Sequence, residues 1–240
     1  MGMKRVFILM ASTLLIAGCT LVPTADAPAS SQQTYRGSSG TDRPTSPTTL
    51  RSGARSGFSP AASQCFATLG QAGTRFTPLQ DQYFGAGCST VGSVRLASLR
   101  GDVGEFSLTN AGPVTCQTAA AFAGWARYGV DRAAREILES PLVRIETMGT
   151  YSCRNVAGTA RRSAHSTASA VDVSAFVLAD GRRIAVDRDW STGSTREREF
   201  LRVVHKSACK RFGTVLGPDY NAAHADHLHM EVKRGGSFCR

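Results

Sequence analysis

The chain has no C-x-x-C pair, no apolar run long enough to cross a membrane, and no βαβ-like alternation of strand and helix patterns. The first absence argues against a cysteine-based zinc cluster, which takes its thiolates in closely spaced pairs. The second leaves only residues 6–17, an apolar run too short for an ordinary spanning helix. The third argues against a parallel, doubly wound sheet and for an α+β domain with a mainly antiparallel sheet and flanking helices. Histidine is scarce too, with five in 240 residues. Scarcity makes placement informative: four of the five fall in two short stretches that also carry aspartate.

What is present begins with a leader. Lys4 and Arg5 precede the apolar run 6–17, the two first parts of a signal peptide. The run ends in Ile16-Ala17-Gly18-Cys19, which resembles a lipoprotein signal. That resemblance implies loss of residues 1–18, lipid on Cys19 and a membrane anchor through that lipid. Thr20 stands where an inner-membrane retention signal has Asp, which implies a periplasmic protein held at the outer membrane. Residues 19–57 are rich in Ser, Thr, Pro, Ala and Gly with few large apolar residues. Such a segment buries too little surface to offset its ordering entropy and reads as a flexible tether. Residues 58–240, roughly 180, suit one domain with a proper core.

The formal charge is +10, and without residues 1–18 it is +8, 26 basic against 18 acidic residues. An exported protein meets anionic lipid and wall-peptide carboxylates rather than nucleic acid, so those suit a basic surface better, while most of these residues read as surface charge with no specific partner. Beyond Cys19 there are six cysteines, at 65, 88, 116, 153, 209 and 239. An even number in an exported domain reads as disulfide staples, whose pairing sequence leaves open. Nothing in the sequence fixes an oligomeric state.

Within the domain, residues 63–100 lack sustained periodicity and read as loops and short strands tied by Cys65 and Cys88. Residues 114–128 read as an Ala-rich helix with Phe122, Trp125 and Ala126 on one face. Asp131 is placed to N-cap a second helix over 132–138. Residues 142–148 alternate as a half-buried strand, and 171–178 form another, joined by Ala179-Asp180-Gly181 to a hairpin partner over 182–186. Ser194 and Glu197 form a capping box for a helix through about Arg211, whose Phe200, Val204 and Ala208 face the core. Residues 214–216 are extended, and 227–232 form the last strand.

Alternation on that last strand puts His227, His229 and Glu231 on one face. On strand 171–178 it groups Asp172 with Ser174. If the two strands are neighbours, Asp172 and His229 converge, with His165 entering from the preceding loop. Two imidazoles and a carboxylate suit a catalytic zinc that keeps a fourth position open. Taken alone, H-x6-D and H-x-H are short motifs, and a solvated polar cluster stays open beside the zinc site.

The run Ser163-Ala164-His165-Ser166-Thr167-Ala168-Ser169-Ala170-Val171-Asp172 resembles the S-x-H-x-x-G-x-A-x-D signature of the peptidase M15 superfamily. That group includes D-alanyl-D-alanine carboxypeptidases, murein endopeptidases and the hedgehog signalling domain. Tyr151-Ser152-Cys153-Arg154-Asn155, Asp180-Gly181-Arg182-Arg183 and the run 212–221 resemble its extensin-like C-terminal branch. The resemblance implies a hedgehog/D-Ala-D-Ala-peptidase-like zinc domain, with Zn2+ on His165, Asp172 and His229 and peptidoglycan peptides as substrate. It implies Arg154 as a group steadying the substrate oxyanion and Asp226 as general base, with His227 or His224 as the alternative base. A zinc-stabilised, non-catalytic wall-binding lipoprotein is the other reading. Two departures stand out: Ala168 replaces the signature's Gly, and Asp226 is one methylene shorter than the usual Glu.

Overall fold

Ser59-Pro60 opens the first helix of the computed structural model, which describes residues 57–232 and 235–240. The expected signal peptide 1–18, Cys19 and all of the tether but Gly57 lie outside the described residues. Helix α1 spans Pro60–Gln71. Ser59 Oγ accepts from the Ala62 N–H at 3.2 Å, and Pro60 sits in the first turn, where a missing N–H costs nothing. Residues 63–71 are therefore helix rather than the loop or short strand expected of them, whereas 72–92 are loops and short strands as expected. After α1 come β1 (Arg75–Pro78), a small hairpin of β2 (Tyr83–Gly85) and β3 (Cys88–Ser89), and the eight-residue β4 (Ser93–Arg100). The helix escaped a periodicity reading because only Phe66 and Leu69 are buried along it; its start signal is the Ser-Pro pair.

The chain continues through β5 (Glu105–Thr109), β6 (Val114–Thr115) and α2 (Cys116–Trp125). A π-helical stretch Ala126–Asp131 then runs directly into α3 (Arg132–Ile137). Asp131 is thus helical itself and caps nothing, against expectation. Its carboxylate instead accepts from the Asp102 N–H at 3.1 Å and from Arg135 at 3.3 Å. The wide turn brings Gly129 so close to Ser207 that a side chain at 129 would collide with it.

The remaining elements are β7 (Leu142–Gly149), β8 (Ala170–Leu178), β9 (Arg183–Ala185), α4 (Val186–Asp189), α5 (Thr195–Cys209), β10 (Thr214–Leu216), β11 (Leu228–Glu231) and β12 (Phe238–Cys239). The capping box holds: Ser194 N–H donates to Glu197 at 2.7 Å and Glu197 N–H to Ser194 Oγ at 3.3 Å. The main sheet runs β1-β4-β5-β7-β8-β11-β10-β12, with β6 on β4 and β9 on β8. Among the described residues only β5–β7 and β10–β12 are parallel, so the domain is α+β with a mostly antiparallel sheet, as the patterns require. The last strand is β12, not the strand expected over 227–232, which is confined to 228–231.

Strand β8 carries a feature that simple alternation misses. Glu146 pairs with Ala175 and Thr147 with Val173, leaving Ser174 as an extra residue at a bulge. The bulge switches faces, so Val171 and Val173 before it and Phe176 and Leu178 after it all enter the core. There Phe176 meets Trp125 and Phe200 with ring centroids 6.1 and 5.2 Å apart. Trp125 Nε1 donates to the Val204 carbonyl at 2.9 Å, so the buried indole loses no hydrogen bond. Three disulfides staple the domain: Cys65–Cys116, Cys88–Cys153 and Cys209–Cys239. Cys65 and Cys88 are not partners of each other; each ties the N-terminal segment to a different later element.

Candidate metal centre

Strands β8 and β11 are antiparallel neighbours, and Asp172 and His229 stand directly opposite in their register. His165 arrives from a 3-10 turn, Ala164–Thr167, whose start is capped by Ser163: its Oγ accepts from the His165 N–H at 3.3 Å. The turn ends at Ala168, whose backbone is left-handed at φ 52°. Residue 168 thus has the positive φ that favours glycine, and here a fully buried alanine bears it. This turn also packs beside β3, within reach of the Cys88–Cys153 bridge.

The three side chains converge. His165 Nε2 lies 3.1 Å from Asp172 Oδ2 and 3.2 Å from His229 Nδ1, and His229 Nδ1 lies 2.7 Å from Asp172 Oδ1. Each imidazole is fixed from behind. His165 Nδ1 donates to the Thr150 carbonyl at 3.2 Å, and His229 Nε2 donates to Glu231 at 2.9 Å. The nitrogens turned inward, His165 Nε2 and His229 Nδ1, therefore hold lone pairs when the rings are neutral. Two lone pairs and a carboxylate facing one another need a cation between them, either a proton or a metal. For a tetrahedral zinc with bonds near 2.05 Å, donor atoms sit roughly 3.3 Å apart; the observed spacings need only a small expansion. The residues fit a metal of this kind, and the rear hydrogen bonds are the orienting partners such ligands take.

Electrostatics agree. Burial alone raises the Asp172 carboxyl, but hydrogen bonds with His165 and His229 outweigh it and hold the group well below the usual carboxylate range. Burial likewise lowers His229, yet Asp172 and Glu231 together raise it to about 9. Without metal, then, a proton on His229 Nδ1 supplies the missing positive charge. Glu231 is itself lowered, first by its bond to His229.

His227 precedes β11 rather than lying in it, so strand alternation does not govern it. It still reaches the cluster: its Nε2 is 3.7 Å from Asp172 Oδ1. Asp226 does not point at the cluster. Its half-exposed carboxylate accepts from His227 Nδ1 at 2.7 Å. His224 hydrogen-bonds through Nδ1 to Asn221 Oδ1 at 2.7 Å, and its ring centroid is 5.2 Å from that of His227. Burial, then the neighbouring His227 and His229, push His224 down to about 4.

The family of extensin-like protein C-termini matches residues 63–240. The chain belongs to that family. No curated protein and no solved structure matches it. In this extensin-like domain a cleft of about 670 Å³ opens over the cluster, lined by Arg154, Arg161, Tyr220, His224, His227 and His229 among others. Arg154 is exposed, and its Nη1 donates only weakly, at 3.4 Å, to the Asn155 carbonyl. The loop that bears it is anchored by Cys153. Sequence reasoning put Glu231 on the ligand face without giving it a role; the H-x-E spacing of His229 and Glu231 was the signal. The Thr150 carbonyl carried none, because a backbone oxygen leaves no trace in residue type.

Proposed function

We propose that the domain is a zinc-dependent hydrolase of amide bonds in peptidoglycan stem peptides or cross-links, carried by an exported lipoprotein. One observation carries the reading: two imidazoles with their outer N–H groups tied converge with Asp172 at 2.7–3.2 Å, at the floor of a cleft. His165, Asp172 and His229 hold the metal. Zinc bound there supplies Lewis acidity, activating water and polarising a carbonyl.

The chain's own groups do the rest. Asp226 takes the Nδ1 proton side of His227 and so leaves Nε2 as the basic nitrogen beside Asp172. His227 is therefore the proton acceptor for the attacking water and Asp226 its orienting partner, a division of labour that makes the shortened carboxylate at 226 no handicap. Arg154, unpaired with any carboxylate among the described residues, offers a fixed charge from the cleft wall to the substrate carbonyl as it gains negative charge. The three disulfides support an oxidising compartment, and the Cys19 signal supplies the anchor, at the outer membrane.

A second reading rests on the position of Asp226. Its half-exposed carboxylate bonds to His227 Nδ1, on the side of that ring away from Asp172, which suits a zinc-stabilised wall-binding module without turnover. Purified full chain, made without an affinity tag, should contain about one zinc, and muropeptides released from sacculi should be resolved by mass spectrometry. Zinc content with sacculus binding and no released fragment overturns the hydrolase and leaves the module; absence of zinc overturns both.

A further inference from the structure

Helices α1 and α2 do not close completely against each other. Between them lies a pocket of about 180 Å³, walled by Leu69, Ala120, Ala123 and Gly124 with the ring of Tyr128. The space exists because α2 presents only small residues there. Its size is that of cavities that accept a benzene ring, roughly 150 Å³. None of its lining residues belongs to the cleft over the metal centre.

The charge around this apolar pocket is one-sided. Arg100 and Arg127 line it, and Arg211 reaches Gly124, with Nη1 3.2 Å from where a side chain at 124 would begin. Arg127, Arg132 and Arg211 stand 4.9–5.5 Å from the Tyr128 ring centre. Arg127, Arg132 and Arg135 all bond to a single carboxylate, Asp102, and Arg135 also reaches Asp131. Arg100 and Arg211 form no ion pair among the described residues. Five guanidinium groups thus meet Asp102 and Asp131, while Glu105, opposite Arg100 in the β4–β5 register, is taken by Arg75; on the far side of Tyr128 the surplus is extended by Lys206 and Lys210 and partly offset by Glu136. Thr74, which also lines the pocket, has a buried hydroxyl without a partner.

We propose that this pocket binds a small carboxylate bearing one compact apolar group: the apolar group between α1 and α2, the carboxylate on Arg100 and Arg211. Burial of the group supplies the affinity and the guanidinium surplus selects the anion. The site is independent of the metal centre and of the hydrolase reading.

The test uses full chain, stripped of metal by a chelator so that no carboxylate is captured at the metal centre. Binding of 3-phenylpropionate is measured by calorimetry and by NMR shifts, with the neutral 3-phenylpropionamide alongside. Saturable binding of the acid is expected, with the amide about tenfold weaker, the worth of one charge-assisted hydrogen bond. Arg100→Gln with Arg211→Gln should bring the acid down to the amide's level. Ala120→Leu, at an exposed helix position where Leu is nearly as good a helix former as Ala, should abolish binding of both while the thermal melt is unchanged. His165→Ala should bind as wild type does. No saturable binding overturns the proposal. So does binding unchanged by Ala120→Leu, which would put the probe elsewhere, and so does equal affinity for acid and amide, which would leave the arginines without a role.

Discussion

His229 donates its Nε2 proton to Glu231 at 2.9 Å, so the nitrogen it turns toward Asp172 and His165 is Nδ1. Glu231 thereby sets which atom of the ring serves as ligand and makes that atom more basic. Glu231→Gln keeps the shape and removes the charge. Zinc affinity should fall about 10- to 100-fold, the usual cost of losing an orienting partner, in a competition titration against a chromophoric chelator. Wild-type affinity in the variant would show Glu231 to be a bystander.

The relation of Asp226 to His227 predicts a different signature. His227→Ala should retain zinc and lose about 10²- to 10⁴-fold in kcat, the range for a general base. Asp226→Asn should cost less, since the ring stays in place and loses only the anionic partner that orients it. If Asp226→Asn costs as much as His227→Ala while zinc is retained in both, Asp226 itself is the base.

The site was legible in the sequence wherever side-chain type and strand period carried it. His165, Asp172 and His229 do converge, because β8 and β11 are neighbours with 172 opposite 229. What sequence missed was set by local geometry. His227 falls just before β11, and Asp226 lies in a turn where its carboxylate bonds to the adjacent ring. The helix over residues 60–71 buried only two large side chains. The bulge at Ser174 arises from pairing with β7, about which β8 alone says nothing. Disulfide pairing depends on long-range contacts, and Cys65 found Cys116 across 51 residues.

The pH dependence of the metal-free domain follows from two groups. His229 is raised from 6.5 to about 9, so its contribution is complete below about pH 6.5 and is lost as pH rises toward 9. Asp172 is lowered, so its contribution is complete above about pH 3.8 and is lost in stronger acid. Urea midpoints with chelator present should peak between those limits and decline through pH 7–9. Zinc affinity should do the reverse and rise over pH 6.5–9, because the metal must displace the His229 proton. Urea midpoints that stay level from pH 6.5 to 9 would remove the proton from Nδ1.

Cys88–Cys153 ties the β2–β3 hairpin to the loop that presents the Thr150 carbonyl to His165 and bears Arg154. Chain-entropy reasoning for a 65-residue separation gives about 4 kcal/mol of stabilisation. Replacing both cysteines by serine should lower the unfolding free energy by an amount of that order. It should also weaken zinc binding, since His165 loses a firm rear contact. Cys65→Ser with Cys116→Ser, which spans 51 residues, should cost nearly as much stability with little effect on zinc. Equal zinc losses in the two variants would mean that the effect is global destabilisation.

Ala168 carries a left-handed backbone at φ 52° with its methyl fully buried. An L-residue there costs roughly 1–2 kcal/mol. Ala168→Gly relieves that strain, but it frees the unfolded chain by roughly 0.4–1 kcal/mol and gives up one buried methyl, about 0.8 kcal/mol. The effects nearly cancel, so the variant should lie within about 1 kcal/mol of wild type. Ala119→Gly provides the contrast, because Ala119 is equally buried but lies within α2. There the relief is absent and the same substitution should cost clearly more in urea unfolding. Ala168→Val adds branching at a backbone angle that bulky residues avoid; it should distort the turn after His165 and lower zinc occupancy. If Ala168→Gly proves as costly as Ala119→Gly, the turn is unstrained in solution and the alanine imposes no penalty on the metal centre.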